Sequence, residues 1–227
     1  MRNSSFFQLF IAFSIVYLAI LVLGYERFDL FLKPILIPIL GFTVYFFRKF
    51  PTKNTLLTAL LFSWIGDVIL LFTDLGEIYF IIGLVSFLIA HILYCIIFNK
   101  QNRVRKKQNK TFFIIGSILI AAYLITMVSI LLPHLGHLEI PVSIYATVIS
   151  IMLLFAFNGL LVWEKPGNKL VCLGAFFFVI SDSILAVNKF YAPIPKSSFF
   201  IMLTYLLAQY LIVLGILKLN PKKVKES

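Results

Sequence analysis

Between Phe6 and Leu217 the sequence offers one apolar run after another, each near membrane-crossing length and parted from the next by a short polar link. A helix needs about 20 apolar residues to cross the ~30 Å hydrocarbon core. A chain made almost wholly of such runs has no soluble architecture open to it. Eight segments qualify: 6–24, 34–47, 54–72, 78–98, 111–132, 140–162, 168–188 and 197–217. The second is short, holds Pro34 and Pro38, and is expected to begin a few residues before Pro34. Hydrocarbon offers no partner for backbone N–H and C=O groups, so the segments are predicted to be helices. Composition agrees. Of the 227 residues 61% are hydrophobic and 13% charged, with a mean hydropathy of +1.02. Soluble chains are nearer one half and one quarter. No link is long enough for a soluble domain, so residues 1–227 are predicted to form one all-α integral membrane domain. The first run is too long for a signal-peptide core and no small-residue cleavage site follows it, so it is expected to be retained.

The basic residues choose an orientation. Of the 20 Lys and Arg, 16 fall at the N-terminus, in the second, fourth and sixth links and in the C-terminal tail, while four fall in the other links. The positive-inside rule then predicts both termini in the cytoplasm, with the stretch 100–110 (KQNRVRKKQNK) as the main anchor. In a bacterium this orientation implies the cytoplasmic membrane. The net charge of +11 is thereby explained by topology and lipid headgroups, and a nucleic-acid partner is excluded. Cys95 and Cys172 both lie inside apolar segments, which points to packing.

Two segments repeat. LFSWIGDVILLF (61–72) aligns with FFFVISDSILAV (176–187), matching Phe62, Ile65, Asp67, Ile69 and Leu70 with Phe177, Ile180, Asp182, Ile184 and Leu185. FLIAHILY (87–94) aligns with YLLAQYLI (205–212), setting His91 opposite Gln209. The offsets of 115 and 118 residues are close to half the chain. A tandem repeat of two four-helix units, 1–110 and 111–227, is predicted. Four spans is an even number, so the halves share an orientation and are related by an axis along the membrane normal.

Of the nine acidic residues only Asp67 and Asp182 lie inside spans. A carboxylate in hydrocarbon costs ~3 kcal/mol on insertion scales, and such residues mark functional sites by default. Both are expected ~20 Å from the cytoplasmic surface at 1.5 Å per residue, facing each other across a central cavity. His91 is placed ~10 Å from that surface, about two turns nearer to it than the carboxylates, with Tyr94 on its face of the helix. Gln209 and Tyr205 share a face of the last span in the same way, and Ser63 precedes Asp67 by one turn. His91, Tyr94, Gln209, Tyr205 and Ser63 are candidates for a supporting or substrate-binding role. Interhelical hydrogen bonding is the competing account for Tyr94, Tyr205, Ser63, Ser181 and Ser183. His134, His137 and Glu139 cluster near one link but lack a third strong ligand, so a plain outer loop is expected rather than a metal site.

Two carboxyls at low dielectric do not both ionise easily, so the pair is expected to hold one proton and titrate as a unit. One acid and one anion side by side suit hydrolysis through a cationic intermediate, as in glycosidases. The set Gly66–Asp67, GLVSFLIAHILY (83–94) and GAFFFVISDSILAV (174–187) resembles the YhhN-like transmembrane lysoplasmalogenase family. The resemblance extends over the whole chain and implies hydrolysis of the vinyl-ether bond of lysoplasmalogens. The products would be a fatty aldehyde and glycerophospho-ethanolamine or -choline. It also implies that Asp67 and Asp182 are the catalytic pair and that His91 matches the family's histidine. A lysophospholipid drawn sideways from the bilayer is the implied substrate, and no metal or cofactor is required.

Other classes compete. Internal repeats with acids at a central cavity also occur in proton-coupled transporters, although span-interior Gly and Pro are few here. An intramembrane aspartyl protease would need a glycine three residues before the aspartate, where this chain has Trp64. A lipid-binding scaffold would tolerate asparagine at both aspartates. The sequence sets neither headgroup preference nor oligomeric state.

Overall fold

The computed structural model describes residues 2–101 and 109–221, and these form helices joined by short links, with no strand among them. In chain order the α-helices are α1 (Arg2–Val22), α2 (Asp29–Tyr45), α3 (Lys53–Leu70), α4 (Glu77–Gln101), α5 (Lys110–Leu135), α6 (Glu139–Val162), α7 (Gly167–Ala186) and α8 (Ser197–Leu219). One-turn 3-10 segments enter α2, α4 and α6, and a π turn (Val187–Tyr191) prolongs α7. Asp29, Glu77 and Glu139 occupy the first turns of α2, α4 and α6, where a negative charge complements the helix dipole. Gly24 and Gly136 follow α1 and α5 with positive φ of 79° and 53°, which suits glycine better than residues with a side chain. Most of the basic stretch 100–110 and Lys222, Lys223 and Lys225 of the tail lie outside the described residues.

Six stretches of the described residues are long and apolar enough to cross a bilayer: Ser5–Val22, Lys53–Leu70, Glu77–Gln101, Lys110–Val162, Gly167–Tyr191 and Ser197–Leu219. Lys110–Val162 contains both α5 and α6. The protein is an integral, multi-pass membrane protein. Its outer surface is apolar: Ile118, Leu119 and Ile125 on α5 are each more than 60% exposed, a pattern suited to lipid and costly in water.

α2 starts five residues before Pro34, as its prolines require, and at 17 residues it is the shortest of these helices. Pro38 has no N–H to donate to the carbonyl of Pro34, four residues back. The orphaned oxygen accepts instead from Trp64 Nε1 on α3, at 2.8 Å. A backbone group that lipid cannot satisfy is thus satisfied by a neighbouring helix.

The most intimate packing is between α7 and α8 and between α3 and α4. Glycines allow it. A Cβ on Gly174 would stand 2.8 Å from Ile212 N and 2.9 Å from Ala208 O, and one on Gly215 would stand 2.9 Å from Val171 N. Backbone therefore meets backbone across α7–α8, as small residues permit in membranes. Gly66, beside Asp67, accepts the face of Phe87 from α4 in the same manner. α5 stands apart: only Gly116, Leu131 and Leu135 are buried on it.

Candidate active site

α3 and α7 each turn one carboxylate inward. Asp67 and Asp182 line the same cavity of about 510 Å³, walled by α2, α3, α4, α7 and α8. Asp182 lies within electrostatic range of Asp67. The expectation of two acids on one central cavity matches this placement.

Asp67 is almost fully buried and doubly held. Tyr205 on α8 donates to its Oδ2 at 2.6 Å, and Lys33 Nζ on α2 lies 3.8 Å from its Oδ1. Behind Tyr205 runs a polarised chain. Tyr94 Oη donates to Gln209 Oε1 at 2.7 Å, Gln209 Nε2 donates to Tyr205 Oη at 3.3 Å, and Tyr205 donates onward to Asp67. Every donor points toward the carboxylate, so Asp67 ends the chain as an acceptor. Ser63, one turn before Asp67, is buried beside the Tyr94 hydroxyl. The sequence candidates Tyr94, Gln209, Tyr205 and Ser63 thus gather around one carboxylate, on three different helices.

Asp182 has other company. Tyr145 on α6 donates a short hydrogen bond to its Oδ2. His91 Nε2 stands 4.0 Å from the same oxygen, outside hydrogen-bond reach. The imidazole is fully buried, edge-on to the rings of Phe178 (4.6 Å) and Tyr145 (5.4 Å between centroids). Counting residues along α4 placed His91 about two turns below the carboxylates, and the structure corrects this. Side chains on a helix lean toward its N-terminus. α4 enters from the end at which α3 and α7 finish, so His91 leans toward Asp182 while Asp67 and Asp182 lean back toward it.

Ser181 and Ser183 serve packing. Ser181 donates to Ile201 O at 3.0 Å, and Ser183 shares a 2.5 Å hydrogen bond with Tyr123 of α5. Cys95 and Cys172 are free and half-buried. His137 pairs with Glu77 at 3.1 Å while His134, in the last turn of α5, meets the ring of Tyr191. Among the described residues no three His, Cys, Asp or Glu side chains are grouped to hold a metal.

Asp182 also lines a second, apolar cleft between α4, α5, α6 and α7, walled by Leu84, Met127, Leu131 and Val142. Phe80, Asp182 and Leu185 border both spaces. Polar cavity and apolar cleft therefore meet at one carboxylate.

Sequence reasoning missed two members of this site. Lys33 was assigned to an outer link. It lies in the second turn of α2, and the signal was available, since a span beginning at Asp29 carries Lys33 into the bundle. Tyr145 gave no signal beyond being a hydroxyl-bearing residue in an apolar run, because nothing in the α6 sequence pairs it with α7.

The model of one protein family, the YhhN family, matches residues 28–216. Human lysoplasmalogenase TMEM86A is 31% identical over 177 residues, covering 75% of this chain and 68% of the relative. The bovine TMEM86A lysoplasmalogenase is 32% identical over the same shares, and human lysoplasmalogenase TMEM86B is 30% identical over 161 residues, 70% of this chain and 62% of the relative. No solved structure matches.

Proposed function

The chain belongs to the YhhN family, and from that membership and the carboxylate pair we propose that it is a membrane-embedded hydrolase cleaving the vinyl-ether bond of lysoplasmalogens. The products are a fatty aldehyde and glycerophospho-ethanolamine or -choline. The observation that carries the reading is Asp182 at the junction of a polar and an apolar space, with Asp67 on the polar side. A vinyl ether sits at the same junction in its lipid, between headgroup and chain.

Lys33 supplies the countercharge for an ionised Asp67, and three ordered donors end on that carboxylate. The single shared proton is therefore assigned to Asp182. Asp182 gives it to the β-carbon, the C=C electrons form the new C–H bond, and an oxocarbenium ion results. The Asp67 carboxylate faces that cation and takes a proton from the attacking water, giving a hemiacetal. In the collapse Asp182 takes the hemiacetal's hydroxyl proton as the C–O bond breaks. Protonated Asp67 hands its proton to the departing glycerol oxygen, and both carboxyls return to their starting states. The side chains named suffice for these steps, and the scheme draws on no metal. The buried His91 leans on Tyr145 and Asp182 and orients them.

The topology proposed with it is eight spans, both termini in the cytoplasm, and a tandem repeat of residues 1–110 and 111–227. In support of the repeat, equivalent residues touch. Phe87 and Tyr205 have ring centroids 5.9 Å apart, and Gln101 Nε2 donates to Leu219 O at 3.5 Å, 118 residues on. Contacts between equivalent positions occur where a two-fold axis passes. The packing of α4 on α6 has its counterpart in that of α2 on α8.

The test is mass spectrometry of detergent-purified protein incubated with a panel of lysolipids. Fatty aldehyde from alkenyl lysolipids is expected, and none from alkyl or acyl analogues. Uptake into proteoliposomes driven by a pH gradient, without aldehyde, would instead favour a transporter.

A further inference from the structure

The cavity around the aspartates changes character along its length. Near Asp67 and Asp182 it is walled by Leu70, Phe87 and Tyr205. Toward the ends of α3 and α7 it is bordered by two cations, Arg27, before α2, and Lys189, in the π turn after α7, and by the acids Asp29 and Asp74. Both cations are exposed, and among the described residues neither stands within 4.0 Å of a carboxylate. Lys189 Nζ lies 5.4 Å from the ring centroid of Phe80, the residue that borders both polar cavity and apolar cleft. Lys189 follows Asp182 by seven residues, about 10 Å along a helix.

On its other side Asp182 opens to the apolar cleft. That cleft shares Tyr123, Val179 and Ser183 with a groove of about 590 Å³ on the outer face of α5, α6 and α7. The groove runs past Leu119, Phe157 and Phe176 toward the opposite end of the bundle. The path as a whole is charged at one end, where Arg27 and Lys189 stand with Asp29 and Asp74, carries the Asp182 carboxylate in its middle and is apolar beyond. That is the layout of a single-chain glycerophospholipid. Its glycerol bridge from vinyl carbon to phosphorus, six bonds and roughly 7 Å extended, falls within what Arg and Lys side chains reach from the mouth.

We infer that Arg27 and Lys189 form a phosphodiester subsite, which holds the headgroup of a single-chain lipid so that its chain passes Asp182 into the α5–α6–α7 groove. This rests on the hydrolase reading above for the identity of the lipid, but not for the binding. An arginine fork and a mobile lysine suit a phosphate that both approach from different elements. The subsite sets the register in which the sn-1 bond meets Asp182, and it faces the side of the bundle away from the N-terminus of α1.

The test measures binding by native mass spectrometry in detergent, with lysophosphatidylethanolamine and a monoacylglycerol of equal chain length as probes. The wild-type protein is expected to prefer the phospholipid. The double variant Arg27→Ala/Lys189→Ala should weaken it about tenfold and leave the monoacylglycerol unchanged. Arg27→Glu alone should act in the same direction, which guards against a fold effect of the double change. Equal affinity of variant and wild type for the phospholipid, or equal weakening of both probes, overturns the subsite. Displacement of a bound anion by inorganic phosphate, with no preference between the two lipids, assigns the cations to free phosphate and overturns the lipid assignment. Aldehyde release is read separately. Phosphate-dependent binding without turnover supports the subsite and removes the hydrolase reading, while turnover with no phosphate dependence does the converse.

Discussion

Lys33 places an ammonium 3.8 Å from one oxygen of Asp67, and Tyr205 places a hydroxyl 2.6 Å from the other. Asp182 has a tyrosine in the same role but, among the described residues, no Lys or Arg within 4.0 Å. That difference breaks the symmetry of the pair. Lys33→Met is expected to lower kcat at least tenfold, equivalent to about 1.4 kcal/mol, with KM little changed. Lys33→Arg should restore much of the loss, because it returns the charge. Arg27 and Lys189 should show the opposite division, acting on KM, if steady-state kinetics are compared across the three positions. Tyr205→Phe removes the final donor of the chain from Tyr94. It should cost less than loss of the aspartate, since Lys33 remains.

The helices carry predictions of their own. Trp64→Phe leaves the Pro34 carbonyl without a donor inside the membrane, at a cost of about 1–3 kcal/mol. In a Pro38→Ala background the intrahelical N–H returns and the cost of Trp64→Phe should fall, a coupling that a double-mutant cycle on thermal unfolding detects. Gly174→Ala forces α7 from α8 by its contact with backbone atoms and should destabilise by about 1–3 kcal/mol. Gly41→Ala, with nothing within 4 Å of the added carbon, should be neutral or stabilising by about 0.5–1 kcal/mol. The helices themselves were legible in the sequence. Apolar run length found each of α1 to α8 to within a few residues, and Pro34 explains why the start of α2 was the hardest to place. The two aspartates were legible because ionisable groups are rare in such runs. What was not legible is how side chains cross between helices. Lys33 was hidden by the short reading of α2, Tyr145 by its ordinary surroundings, and the closeness of His91 to Asp182 by a count of residues that ignores the lean of side chains.

At the scale of the whole molecule, the apolar exterior and the multiple crossing helices make the bilayer its solvent. On the proposed reading, a helix α5 held mainly by α6 leaves a side entrance for a lipid chain. The proposed topology is open to thiol labelling. In a protein with Cys95 and Cys172 replaced by alanine, a cysteine at His137 should react with an impermeant reagent added outside intact cells, and one at Lys165 should not. The reverse pattern would invert the orientation and with it the leaflet from which substrate arrives.

The account depends on Asp67 and Asp182 working together on one substrate. The direct measurement is aldehyde release from an alkenyl lysophospholipid by purified Asp67→Asn and Asp182→Asn proteins, each first shown to be monodisperse and to unfold near the wild-type temperature. Each single change is expected to remove at least 100-fold of the activity, the scale of a lost acid or base, and the double variant should be no worse than the more damaged single one. Wild-type turnover by either folded variant would contradict the account.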